Sequence, residues 1–289
     1  MTKSIKEFDD FFYKLTEKYT PEYFEELSKK QYKEDREYPE NFSNWYPHII
    51  DFGEFKTANI INNQIFTWEE TEAMEETDII SKVNWNKLNE ILKPTLDKMK
   101  PNIQYNIKNG CFSNKYDFNT CVTDKKHLAE NLWKINYNST MFDTGGYTEL
   151  VVRELIPYNQ LITPTIYNGM PLRNELRIFY NMDKKKIEYS VNYWNFEYCY
   201  NNIDNLTDKI IFKWFHSQKN IKDNYLYLLQ YVHQYIDTLK FDEHLTGIWS
   251  IDFMLCNDSD DYNGVYLIDM ARGFKSAYWD ETKITEREK

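Results

Sequence analysis

Asp252 and Asp269 each interrupt an apolar, strand-like run: Ile251-Asp252-Phe253-Met254-Leu255 and Val265-Tyr266-Leu267-Ile268-Asp269. A hairpin folded about the middle of the intervening loop sets the two carboxylates face to face. Like charges opposed across a ladder repel, and an unpaired buried carboxylate is costly. The pairing therefore requires a cation, and a divalent metal is the natural candidate. A register slip of two residues keeps both carboxylates on one face, because strand side chains alternate with period two. The competing reading puts one aspartate at a solvent edge and lets the other cap the turn. A calcium-binding helical loop is excluded. Asp258, Asp260 and Asp269 fall at its first, third and twelfth positions, but Tyr262 stands at the fifth, Asn263 replaces the turn glycine, and strands flank the loop.

Cationic residues recur at strand positions upstream. Ile103, Tyr105 and Ile107 alternate with Gln104, Asn106 and Lys108, which carries Lys108 on the polar face at a strand end. The loop Asn109 to Asn119 adds Gly110, Ser113, Lys115 and Asp117. In Leu172 to Tyr180, Leu172, Leu176, Ile178 and Tyr180 share one face, and Arg173, Glu175 and Arg177 the other. A lysine at a strand end, an arginine on a strand and two aspartates are equipment for a triphosphate. The cations neutralise phosphate oxygens, and the carboxylates hold a bridging magnesium. Singly, Lys108 reads first as a surface lysine, and Arg177 with Glu175 equally as a solvent-facing pair of little worth. No Walker loop or dinucleotide glycine fingerprint is present. His127, His216, His233 and His244 lack zinc-site spacing, and His48 beside Pro47 reads as structural. Lys108-Asn109-Gly110 is one residue too short for the KxDG pattern of lysine nucleotidyl ligases.

The elements that must hold these residues follow from periodicity. Helical spacing of Phe11, Phe12, Leu15, Tyr19 and Tyr23 predicts one or two amphipathic helices before Asn41, with one apolar face. A strand over Phe55 to Phe66 is expected to break at an Asn62-Asn63 turn. The acidic stretch Glu69 to Asp78 reads as a solvated face or loop. Trp85 to Met99 predicts helix with a break or kink at Pro94. A helix from about Thr123 to Ile135 is capped by Thr123 or Asp124, and Gly145-Gly146 separates it from a strand Glu149 to Ile156. A turn at Asn181 to Lys186 joins Leu172–Tyr180 to Ile187–Trp194, a hairpin that sets Ser190 and Asn192 on the face of Glu175 and Arg177. A helix between Asp223 and Lys240 precedes the final hairpin.

A chain of 289 residues can bury a large core and suits two domains or one elaborated α+β domain. The net charge of −11 argues against a nucleic-acid surface. No apolar run approaches the length needed to span a bilayer, and the N-terminal residues lack a signal-peptide core. Cys111, Cys121, Cys199 and Cys256 show no CxxC spacing and read as reduced thiols of a cytoplasmic protein.

The order of the parts carries a resemblance. Lys108 on a strand, Arg153-Glu154-Leu155-Ile156-Pro157, Asn174-Glu175-Leu176-Arg177-Ile178-Phe179, Ser250-Ile251-Asp252-Phe253 and Leu267-Ile268-Asp269 resemble the succession of sites in ATP-grasp proteins. Within that superfamily, Phe42-Ser43-Asn44-Trp45-Tyr46-Pro47, Glu149-Leu150-Val151-Val152-Arg153 and the closing Val265 to Asp269 are similar to the cell division cycle protein 123 family. The resemblance runs from about residue 42 to 279. It implies an α+β, ATP-grasp-like fold in which ATP lies between two α+β subdomains. The divisions expected are an N-terminal region 1–100, a first subdomain 101–160 and a second, 161–289, that holds the metal-binding hairpin.

By the same resemblance Lys108, Lys115, Arg153, Glu154, Leu155, Ile156, Glu175, Arg177 and Arg272 contact ATP, with Arg153 to Ile156 as the strand beside the adenine. Asp252 and Asp269 hold Mg2+. Eukaryotic family members are assembly chaperones that bind the gamma subunit of translation initiation factor 2, and a protein partner is the expectation here. The alternative is an ATP-dependent carboxylate–amine ligase working through an acyl phosphate. Three positions depart from the family pattern. Ala271 stands for an asparagine metal ligand, Glu154 for a lysine, and Ile107 for a proline. The first should weaken magnesium binding, with Arg272 placed to contact phosphate instead.

Overall fold

The computed structural model describes residues 19–75, 79–141, 148–158, 163–194, 199, 201–204, 207, 223–257 and 262–284. Phe11, Phe12, Leu15, Gly145, Gly146, His216, Asp258 and Asp260 lie outside the described residues. The strands in chain order are β1 (Ile49–Asp51), β2 (Ile60–Ile65), β3 (Tyr105–Asn109), β4 (Val122–Thr123), β5 (Glu149–Glu154), β6 (Thr165–Ile166), β7 (Met170–Pro171), β8 (Asn174–Asn181), β9 (Lys186–Asn192), β10 (Lys240–Phe241), β11 (Ile248–Asn257) and β12 (Asn263–Arg272). They build two four-stranded antiparallel sheets, ordered β2-β5-β3-β4 and β12-β11-β8-β9, and two short ribbons, β1-β10 and β6-β7. The architecture is α+β, as expected.

Each sheet has a helix-covered core. Ile107, Leu150 and Val152 of the first sheet cluster with Leu88, Leu128 and Leu132 of the helices Trp85–Ile91 and Leu128–Met141. Leu176, Ile178 and Ile251 of the second cluster with Leu228 and Val232, on the helix of residues 223–235. The N-terminal region serves both sheets. β2 is an outer strand of the first, while Lys56 forms a parallel bridge to Tyr266, giving its amide to Val265 O and accepting from Leu267 N, both at 2.8 Å.

Several expected elements differ. Asn62 and Asn63 do not turn the chain but lie within β2, held by partners: Asn62 donates to Thr95 and accepts from Lys98, both at 2.7 Å, and Asn63 donates to Glu149 at 3.3 Å. The interruption at Pro94 is present as a break, with the proline in the first turn of a separate short helix, Lys93–Leu96, where its missing N–H costs nothing. The helix expected from Thr123 begins at Leu128. Thr123 ends β4, and Asp124 instead turns the chain by accepting from the amides of Lys126 and His127 at 3.0 Å. The helix Pro21–Arg36, capped by Thr20, buries no residue, and Tyr19 and Tyr23 remain exposed where an apolar packing face was expected.

The β8–β9 hairpin carries the most consequential difference. From the turn, Asn181 pairs with Lys186 and Tyr180 with Ile187, but Phe179 pairs with Tyr189, so Glu188 is an extra residue in a bulge. Every later pair slips by one. Ser190 and Asn192 therefore oppose Ile178 and Leu176, on the face away from Glu175 and Arg177, and Val191 opposes Arg177. The Phe179 and Tyr189 rings stack at 4.3 Å in this register.

Candidate nucleotide site between the two sheets

β8, β11 and β12 set three charged residues in one row: Arg177 pairs with Asp252, and Asp252 with Asp269. The two carboxylates face each other through a bulge: the turn-side register would set Asp252 opposite Ile268, and the extra residue Ile268 brings Asp269 into the pair. The cation that the sequence argument required is supplied by side chains. Arg177 grips Asp252 with Nε and a terminal nitrogen, both at 2.7 Å, and Lys108 reaches across from the first sheet to Asp269 at 2.9 Å. Asp252 is 2% exposed and Lys108 1%, so leaving either of these two without its partner would be costly. Lys108 thus projects into the interior, not from a solvated strand face.

A cleft of about 890 Å3, its open mouth included, separates the sheets. The first sheet contributes Asn106, Arg153 and Glu154, and the chain leaving β5 adds Leu155 and Ile156. The second sheet contributes Glu175, Met254, Leu267 and Asp269, and the 3-10 segment Lys115–Cys121 brings Lys115. Of the residues proposed from sequence, Lys115, Arg153, Glu154, Leu155, Ile156, Glu175 and Asp269 line this cleft. Lys108, Arg177 and Asp252 lie behind it as the buried partners just described. Arg272 is elsewhere. It follows Ala271 on the opposite side of the strand pleat, where it bonds Glu40 at 2.7 Å and stacks over Phe274 at 4.9 Å.

Electrostatics within the cleft are coupled. Burial opposes the charge of Asp269, but Lys108 and Arg153 outweigh it and hold the carboxyl below the usual range. Burial pushes Glu175 up to about 7, against the pull of Lys115 and with help from Asp252. Burial also opposes the charge of Lys115, yet Tyr193, Asp252 and Glu175 more than compensate and keep it protonated. Arg153 ties the sheets together by donating to Asn106 Oδ1 at 2.8 Å and to the Ile268 carbonyl at 2.7 Å. Glu154 accepts from Asn59 at 2.7 Å and from the Tyr262 hydroxyl.

Two contributors went unassigned from sequence. Arg173 donates to the carbonyls of Ile156 at 2.7 Å and Pro157 at 2.6 Å, fixing the segment after β5 against the second sheet. Its alternation with Glu175 and Arg177 was the available signal. Tyr193 accepts neither role in any motif, yet its hydroxyl takes a bond from Lys115 at 2.8 Å and its ring lies 4.8 Å from the Arg177 guanidinium. The slipped hairpin register kept it out of sequence reach.

The residues present fit a magnesium nucleotide, with one revision. Mg2+ is commonly bound by one or two carboxylates, completed by phosphate oxygens and water. Asp269 supplies a cleft-facing carboxylate, 25% exposed at its side chain, whereas both oxygens of Asp252 are engaged by Arg177. Ala271, opposite Ser250 in the ladder, offers no side-chain oxygen of its own. The nearby hydroxyls of Ser250 and Ser276 bond each other at 2.6 Å and the carbonyls of Ala271 and Arg272.

Among solved structures, the fold is similar to Cdc123 from Schizosaccharomyces pombe, at 12% identity and a TM-score of 0.46, covering 86% of this chain and 93% of that one. A C-terminally truncated Cdc123 from the same organism gives 12% identity and a TM-score of 0.44, over 86% and 88% of the two chains. No family model and no curated protein matches the sequence. Among the described residues no helix is long and apolar enough to cross a membrane, and no disulfide joins the four cysteines.

Proposed function

We propose that this chain binds Mg-ATP in the cleft between its two sheets and works as a nucleotide-dependent assembly factor for a protein partner. The observation that carries the reading is the charged row Arg177–Asp252–Asp269 joined to Lys108 of the facing sheet, with Lys115 and Arg153 presented to the open space beside it. In this reading Glu154, Leu155 and Ile156 flank the base. Lys115 and Arg153 meet the phosphates, Lys108 orients Asp269, and Asp269 holds the metal. The magnesium ion supplies charge neutralisation across the phosphate oxygens. Arg177 and Asp252 act one layer behind, as a rigid ion pair that fixes the strand row.

Binding is favoured over turnover by the Ala271 position, where no oxygen donor is offered and the adjacent hydroxyls are already engaged. The partner follows from the family resemblance: the gamma subunit of translation initiation factor 2, whose complex the bound nucleotide would help to assemble. Isothermal titration of ATP with and without Mg2+ tests the site. Binding should depend on metal and be lost in Asp269→Asn and weakened in Lys115→Ala. Equal affinity without metal in all three proteins sinks the proposal. Co-purification of the gamma subunit without ADP release supports the assembly role, whereas ADP release abolished by Asp269→Asn would replace it with the ligase reading.

A further inference from the structure

A second cluster lies on the β1–β10 ribbon, among residues that do not line the nucleotide cleft. His48 ends the 3-10 turn Tyr46–His48, and Asp242 and His244 follow β10. The Asp242 carboxylate stands between two imidazoles, with one oxygen 2.8 Å from His48 Nδ1 and the other 3.2 Å from His244 Nδ1. The donor atoms of all three residues lie within 4.8 Å of one another. The rings are stacked with centroids 4.8 Å apart, so both Nδ1 atoms turn toward the same carboxylate.

Backbone bonds fix this arrangement. The Asp242 amide donates to the His48 carbonyl at 3.0 Å, and the His244 amide donates to the Asp242 carboxylate at 2.9 Å. Donors held in place before a ligand arrives lose little freedom on binding it. Two imidazole nitrogens and one carboxylate oxygen are the donor set of zinc and its first-row neighbours. Magnesium, by contrast, favours oxygen ligands alone. The partial exposure of all three side chains leaves room for water in a fourth position.

We propose that His48, Asp242 and His244 form a divalent transition-metal site of the zinc class that staples the N-terminal segment to β10. Binding needs no oxidant and, with neutral imidazoles, no net proton release. Each ring proton moves from Nδ1 to Nε2, and Nδ1 gives its lone pair to the metal. The sequence spacing concealed the site because one histidine precedes the other by almost the whole fold.

The test is titration of the full chain with Zn2+ by calorimetry and with Co2+ by visible absorption, in parallel with a thermal melt. One metal ion per chain, a tetrahedral Co2+ spectrum and a raised Tm are expected. His244→Ala, exposed and therefore safe for folding, should weaken binding by at least about tenfold. His48→Ala should do the same, while His127→Ala should change nothing. Absence of stoichiometric binding, or binding unchanged in both His244→Ala and His48→Ala, overturns the proposal and leaves a hydrogen-bonded clip.

Discussion

At the scale of single residues, the buried charges decide behaviour. Asp252→Asn leaves the Arg177 guanidinium largely enclosed without its carboxylate, and removal of one partner from a buried pair costs about 3–5 kcal/mol. Denaturant unfolding should show that loss, and the double change Asp252→Leu with Arg177→Met should lose less than the single one. Glu175 sets a pH dependence. Its carboxyl is raised to about 7 in the folded chain from a value of 4.5, so the folded state binds the extra proton. The stability gained is complete below about 4.5 and disappears as pH rises through about 7. Glu175→Gln should flatten that limb of the stability curve. It should also tighten Mg-ATP above pH 7, since one negative charge then leaves the cleft. Tightening by the same factor at pH 5 would count against this assignment.

At the scale of elements, the β8–β9 bulge determines which side chains meet the site. Tyr189→Ala removes a ring stacked on fully buried Phe179 and a hydroxyl that accepts from the Asp280 amide at 2.8 Å. A loss of about 2–3 kcal/mol is expected. Ser190→Ala, which gives up only an exposed contact with His233, should cost under about 1 kcal/mol. Urea midpoints that fall together for the two variants would count against this placement of Tyr189.

The same bulge shows where sequence reasoning stops. Alternation along Leu176 to Tyr180 and Val265 to Asp269 placed each strand and its faces, because burial on one side writes period two into the residues. It set Asp252 and Asp269 on one face for a hairpin folded about mid-loop, a pair the structure reaches only through an extra residue, Ile268. It could not count Glu188 as an extra residue, since a bulge changes pairing without changing composition. Nor could it distinguish Asn62-Asn63 as a turn from the same pair tied to Thr95 and Glu149, whose positions depend on tertiary packing. Arg272 shows a third limit. Asp269, three residues before it, lines the cleft, but Arg272 is held by Glu40, a residue remote in sequence.

At the scale of the molecule, the bonds that hold the two sheets together around the cleft include Lys108 to Asp269, Arg153 to the Ile268 carbonyl, and Arg173 to the Ile156 carbonyl. The first is titratable. A carboxyl depressed in the folded state contributes stability that is complete above its unfolded value near about 4 and vanishes as pH falls through the lower folded value. Lys108→Met removes the largest source of that depression. Acid unfolding should then begin at higher pH than in the unaltered chain, while Lys98→Met, on the periphery of the first sheet, should leave the acid limb where it was.

The bridge at Lys56 has a further consequence for life in a crowded solution. β12 is the last strand of its sheet, and an uncovered border of this kind recruits neighbouring chains into aggregates. Here the Val265 carbonyl and Leu267 amide are already taken by the Lys56 backbone, and its ammonium caps the Asn263 carbonyl. The strand that presents Asp269 is thereby closed to self-templating growth by a piece of its own chain.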